Sequence, residues 1–214
     1  MMEFIQLLTP SERAEWEALT SPLAIQNFLD SLPYVGEERN RSPLSVLRDR
    51  QCHCLDGGLF AALALSQLGF PPLIMDLVPE SGKDDDHVLA IYRINGCYGA
   101  IAKSNFVGLR FREPVYRSLR ELAMSYFEMF YNITGEKTLR GYTRPMNLNR
   151  FKHLNWAVDE NHVAVVVQHF YSRKSIPLIS SQAVALLSPV DRRSYEAGML
   201  GTNFEGLYRP AVGL

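Results

Sequence analysis

The chain has 214 residues, of which 47% are hydrophobic and 21% charged, with a formal net charge of -1. That length and composition predict one soluble globular domain with a core large enough to fold without disulfides. The near-zero charge offers no basic field for nucleic acid, and the local arginine runs at Arg39, Arg41, Arg48, Arg50 and at Arg110, Arg112, Arg117, Arg120 read as solvated faces.

The start of the chain, MMEFIQLLTPSERAEW, lacks the basic and apolar segments of a secretory signal. Three cysteines, two of them one residue apart, suit a reducing compartment, so a cytoplasmic protein is expected and Asn132-Ile133-Thr134 is a chance sequon. Gly69, Pro71 and Pro72 interrupt the longest uncharged stretch, so no membrane span is expected.

Thr9-Pro10-Ser11-Glu12 has the spacing of a capping box with proline at the first helical position, which predicts a helix to about Leu19. Ser21-Pro22 opens a second helix ended by Pro33, and Ser42-Pro43 a third running toward Arg50. From Cys54 the run CLDGGLFAALALSQL is apolar nearly all round, as a buried central helix must be, and Gly69 ends it. Three strands are predicted next, 72 to 78, 87 to 94 and 97 to 104. Asn95-Gly96 is the turn between the last two. The segment SLRELAMSYFEMFYN places Leu119, Leu122, Ala123, Tyr126, Phe127 and Phe130 on one helical stripe. Past residue 135 the pattern weakens: KTLRGYT reads as a strand, ENHVAVVVQHFYSR as helix or strand, and SPVDRRSYEAGML as a capped helix.

Chemistry concentrates at Gln51-Cys52-His53-Cys54. A free thiol, with a pKa of about 8.5, is mostly protonated at neutral pH, and a helix N-terminus favours its thiolate. Cys54 stands at such a position, and His87 opens a following strand, where an imidazole would serve as its base. The alternative is a zinc site from Cys52, Cys54, His53 and His87. Its C-x-C spacing is tighter than that of structural zinc sites, and no metal is expected.

The stretch CLDGGLFAALALSQLGF resembles the nucleophile segment of the transglutaminase-like superfamily, through Cys54, Asp56, Gly58, Leu68 and Gly69. DHVLAIYRINGCYGAIAKSN is similar to that family's histidine strand and hairpin, through His87, Val88, Gly96 and Tyr98. The likeness covers about residues 50 to 105. Arg50 stands four residues before Cys54 as in the arylamine acetyltransferases, but the Gly-Gly of that subfamily is missing between them.

The resemblance implies an α+β fold with a papain-like, transglutaminase-like core of about residues 42 to 131. A buried nucleophile helix would pack on an antiparallel sheet, with extra helices at both ends, and about residues 135 to 214 would form a C-terminal extension of unassigned architecture within a single domain. It implies a thiol-dependent hydrolase or acyltransferase acting on a peptide or a small amide or acyl substrate, with no cofactor. Cys54 would be the nucleophile and His87 the base, and the Cys54 N–H with the Gln51 side chain would meet the oxyanion. The family acid position holds Ala102, which leaves Ser104, by strand parity, or Asn105, through a bulge, to orient His87. The other reading is a catalytically silent binding module on the same fold.

Overall fold

A computed structural model describes residues 2–209. Four short helices lead in, α1 (Met2–Gln6), α2 (Pro10–Glu17), α3 (Pro22–Asp30) and α4 (Pro43–Asp49), followed by the long α5 (Cys54–Gln67). The hydroxyls of Thr9, Ser21 and Ser42 accept backbone N–H groups at the starts of α2, α3 and α4, and the proline at the first position of each helix has no N–H to satisfy. Gly69, at φ 86°, takes the left-handed conformation that closes α5.

Strands β1 (Leu73–Pro79), β2 (His87–Ile94), β3 (Cys97–Ile101), β4 (Arg112–Tyr116), β5 (Leu139–Thr143), β6 (Met146–Asn147) and β7 (Ser175–Pro177) form one sheet. It is seven-stranded and antiparallel, in the order β4-β3-β2-β1-β5-β7, with β6 also alongside β1. Helices α6 (Leu119–Met124), α7 (Glu160–Tyr171), α8 (Ser181–Val184) and α9 (Arg192–Gly198) complete an α+β chain with helices at both ends. No helix among the described residues is long and apolar enough to cross a membrane.

Strand alternation divides the core in two. Ile74, Val88, Ala90, Tyr92 and Ile101 face α5, while Met75, Leu77, Leu89, Ile91, Ala100 and Ala102 face α6 and the aromatic turn after it. Gly58 allows α5 to lie close on β2, because a Cβ there would meet Val88 Cγ1 at 2.7 Å.

Two predicted elements end early, each because a distant side chain intervenes. The strand expected over 97 to 104 stops at Ile101, where Gln26 of α3 takes both the N–H and the carbonyl of Ala102 at 3.0 Å. Beyond it Lys103 turns away to donate its ammonium to the carbonyls of Leu29 and Leu32 at the end of α3. The aromatic helix stops at Met124, where the Arg112 guanidinium takes the Ser125 hydroxyl at 3.0 Å and its carbonyl at 3.1 Å, and lies 3.9 Å over the Tyr126 ring. Leu122, Ala123, Tyr126, Phe127 and Phe130 are nevertheless buried together as the stripe requires.

The C-terminal portion is woven into the same sheet rather than appended to it. KTLRGYT supplies β5, which pairs with β1, and the ambiguous segment is the helix α7, whose Val163, Val166 and Phe170 join the core around α5. Asp191 caps α9, and residues 210–214 of the expected extension lie outside the described residues.

Candidate functional site

Cys54 occupies the first turn of α5, and Asp56 fixes that turn. The fully buried Asp56 carboxylate accepts the Arg41 N–H at 2.7 Å and the His53 N–H at 3.4 Å, with the Arg41 guanidinium 3.6 Å away. Burial raises its pKa to about 6, against the opposite pull of His53 and the two N–H groups. Asp56 therefore anchors the helix start and does not face a substrate.

The Cys54 thiol donates to the carbonyl of Asp86 at 3.8 Å and faces the Val88 N–H. Burial, and then the charges of Asp86 and Asp85, push its pKa well above that of an ordinary thiol. The helix terminus favours the thiolate, but burial and the carboxylates outweigh it.

His87 lies on the other face of the sheet. It pairs with Leu77 in the β1–β2 ladder and shares the side of Leu89 and Ile91, with its ring 6.4 Å from that of Tyr126 and 6.5 Å from that of Phe130. Its Nε2 donates to the Leu109 carbonyl at 2.7 Å. Burial lowers its pKa to about 4, although the Leu109 bond favours the cation. Since Val88 is the residue that faces α5, the expected Cys54–His87 pair does not form, and a one-residue difference in strand register is the reason.

The remaining expected site residues are held by other partners. Ser104 and Asn105 line one small cavity with His87, but the Ser104 hydroxyl accepts the Phe106 N–H at 2.9 Å, the Asn105 carboxamide exchanges two bonds of 2.8 Å with the backbone of Asn203, and the bond that holds the His87 ring goes to Leu109. Ala102 does share the buried face of His87 but brings no polar group. Gln51 precedes α5 half-buried and is not among the residues lining the cleft at Cys54. Cys52 is buried, and burial raises its thiol to about 12 against the pull of Lys103. His53 points its Nε2 to the Arg39 carbonyl at 3.1 Å and to Asp56 at 3.3 Å, away from any shared ligand position with Cys52 and Cys54.

What the structure does assemble around Cys54 is an acidic, tyrosine-rich cleft of about 330 Å3. Glu37, Glu38, Asp85, Asp86 and Glu205 line it with Tyr34, Tyr171 and Tyr208, and no lysine or arginine does among the described residues. Behind it Asp76 of β1 and Asp86 share a hydrogen bond between their carboxyls, and Tyr171 donates its hydroxyl to Asp86 at 3.1 Å. Burial first raises both acids; the Asp86 charge then adds to the rise of Asp76, and the Asp85 charge to that of Asp86 against the pull of its bonds from Tyr171 and Asp76, which favours a proton shared by the pair at neutral pH. Sequence reasoning passed over this pair. Its one signal was Asp76, a lone carboxylate in the apolar run PLIMDLV, on a strand buried on both faces. Tyr171 belongs to a segment that read equally as helix or strand.

A C-terminal strap roofs the cleft. Asn203 donates its Nδ2 to the Tyr34 carbonyl at 2.9 Å, Thr202 bonds the Asn105 carbonyl at 3.0 Å, and Gly206 lies against Gly36 so closely that a Cβ on Gly36 would stand 2.7 Å from it. A scan against protein-family models and a search of curated proteins each find no match for this chain.

Proposed function

We propose that the chain is a catalytically silent binding module with a transglutaminase-like core, whose cleft at Cys54 holds a peptide or small amide bearing a positive charge. The observation that carries this reading is the company of the sulfur: Cys54 bonds a carbonyl among carboxylates, while His87, the histidine expected as its base, lies behind the sheet with its Nε2 on Leu109, and His53 turns its Nε2 to Arg39 and Asp56. Acyl transfer through cysteine needs a thiolate and a base within reach of it, and both are opposed here. Glu37 is paired with Arg41 at 2.7 Å, but Glu38, Asp85 and Glu205 face no lysine or arginine among the described residues, and with the tyrosines they suit an ammonium or guanidinium group.

One observation favours the second reading, a thiol-dependent hydrolase or acyltransferase: Cys54 sits on the first turn of a long helix and lines an open cleft. A panel of thioester and amide substrates separates the two. The binding module shows no turnover beyond that of Cys54→Ala, whereas a product burst that Cys54→Ala abolishes would overturn it.

A further inference from the structure

Away from the acidic cleft, the turn after α7 builds a groove of the opposite charge. Arg144, which follows β5, Arg150, in the turn after β6, and Arg173 and Lys174, which follow α7, line a space of about 530 Å3 together with His169, Ser172 and Ser175. That volume is within the usual range of about 300–1,000 Å3 for small-molecule sites.

None of these four cations is paired with a carboxylate among the described residues. By contrast Arg39, Arg41, Arg48, Arg50, Arg110 and Arg140 all are. Arg173 is instead fixed by its own backbone surroundings, donating Nε to the Arg144 carbonyl at 3.2 Å. Arg150 lies over the Phe151 ring, with its guanidinium carbon 5.3 Å from the ring centroid, and the His169 ring lies 5.4 Å from the same centroid. The groove is therefore partly ordered before any ligand arrives.

Cations at the C-terminus of a helix are stabilised by its dipole, which accounts for Arg173 and Lys174. It does not account for Arg144 and Arg150, which two other segments bring to the same concavity. Four like charges converging without counter-charge repel one another, and an anion seated among them removes that cost. Guanidinium forks match the geometry of phosphoryl oxygens, and the Ser175 hydroxyl adds a neutral donor, that of Ser172 being spent on the His169 carbonyl at 2.9 Å.

We propose that this groove binds a phosphoryl anion, carried on a small molecule or free as inorganic phosphate. The site shares no lining residue with the Cys54 cleft, so it stands or falls apart from the function proposed above.

Isothermal titration of the full chain with pyrophosphate, phenyl phosphate and inorganic phosphate, against sodium chloride at matched ionic strength, tests it. Saturable binding above the chloride control is expected. The double change Arg150→Glu with Lys174→Glu should weaken it by about tenfold or more, since it removes two charge-assisted donors. Arg192→Glu with Arg193→Glu, an equal change of net charge elsewhere, should leave it intact. Tighter binding of phenyl phosphate than of inorganic phosphate assigns a phosphorylated small molecule, and the reverse assigns the free ion. Arg150→Lys with Lys174→Arg keeps the charges and should retain binding if the acidic variants fail to fold. No saturable heat above the chloride control, or equal loss in both acidic double variants, overturns the proposal.

Discussion

The placement of His87 makes a prediction about stability whose sign separates the two functional readings. Its pKa falls from 6.5 to about 4 on burial, so between those values the unfolded chain binds a proton that the folded chain does not. Stability from this residue is then fully present above pH 6.5 and is lost as the pH falls toward 4. Taken between pH 7 and pH 4.5, the loss is about 2 kcal/mol. His87→Gln keeps a donor for the Leu109 carbonyl and removes the titrating group. The acids Asp56, Asp76 and Asp86 have raised pKa values and act in the opposite direction, so the wild-type curve alone is not diagnostic. The difference between wild type and His87→Gln isolates the one residue. Urea unfolding followed by circular dichroism at pH 7, 5.5 and 4.5 measures it. Wild type should lose about 2 kcal/mol more than His87→Gln over that range. An imidazolium paired with a thiolate would have a raised pKa, and wild type would then gain on His87→Gln as the pH falls. That outcome would refute the placement of His87.

Three other outcomes follow from the packing around the cleft. In Asp76→Asn one acid of the shared-proton pair can no longer ionise; because both acids bind protons more tightly in the folded state, wild type loses stability as the pH rises, and the Tm advantage of Asp76→Asn should widen between pH 6 and 9. Asn105→Ala removes both of its bonds to Asn203, about 1 kcal/mol each, so amide exchange at residues 203–208 should quicken while global unfolding by urea shifts little. Gly58→Ala gains about 1 kcal/mol of helix propensity but drives a methyl to 2.7 Å from Val88; the net should be a loss of roughly 1–2 kcal/mol that Val88→Ala in the same chain relieves, as urea titrations of the double cycle will show.

Local chemistry made much of this fold legible. The Ser/Thr-Pro starts of three helices are caps whose physics lies within four residues, and Asn95-Gly96 forms its turn because both residues take positive φ, 49° and 83°. The bounds of β2 follow from its own apolar run. What the sequence hid was nonlocal. Gln26 ends β3 from 76 positions away, and Arg112 breaks the aromatic helix from another strand. The candidate site failed to assemble for a related reason. Cys54 is placed by its helix and His87 by its strand, but whether they meet depends on which face of β2 lies against α5. A run such as HVLAIYRI, buried on both faces over most of its length, carries no alternation from which to read that face. The acid pair was hidden likewise, since Asp76 and Asp86 become neighbours only when the end of β1 is laid against the start of β2.

The most direct test of the unarmed thiol is the rate at which iodoacetamide alkylates Cys54 as a function of pH, read by peptide mass spectrometry beside the half-exposed Cys97 in the same molecule. Burial among carboxylates predicts that Cys54 reacts more slowly than Cys97 at pH 6 and pH 7, accelerates only under alkaline conditions, and keeps the same profile in His87→Gln. A fast plateau for Cys54 at pH 6 that collapses in His87→Gln would contradict the account, because only a thiolate held by that imidazole reacts in this way.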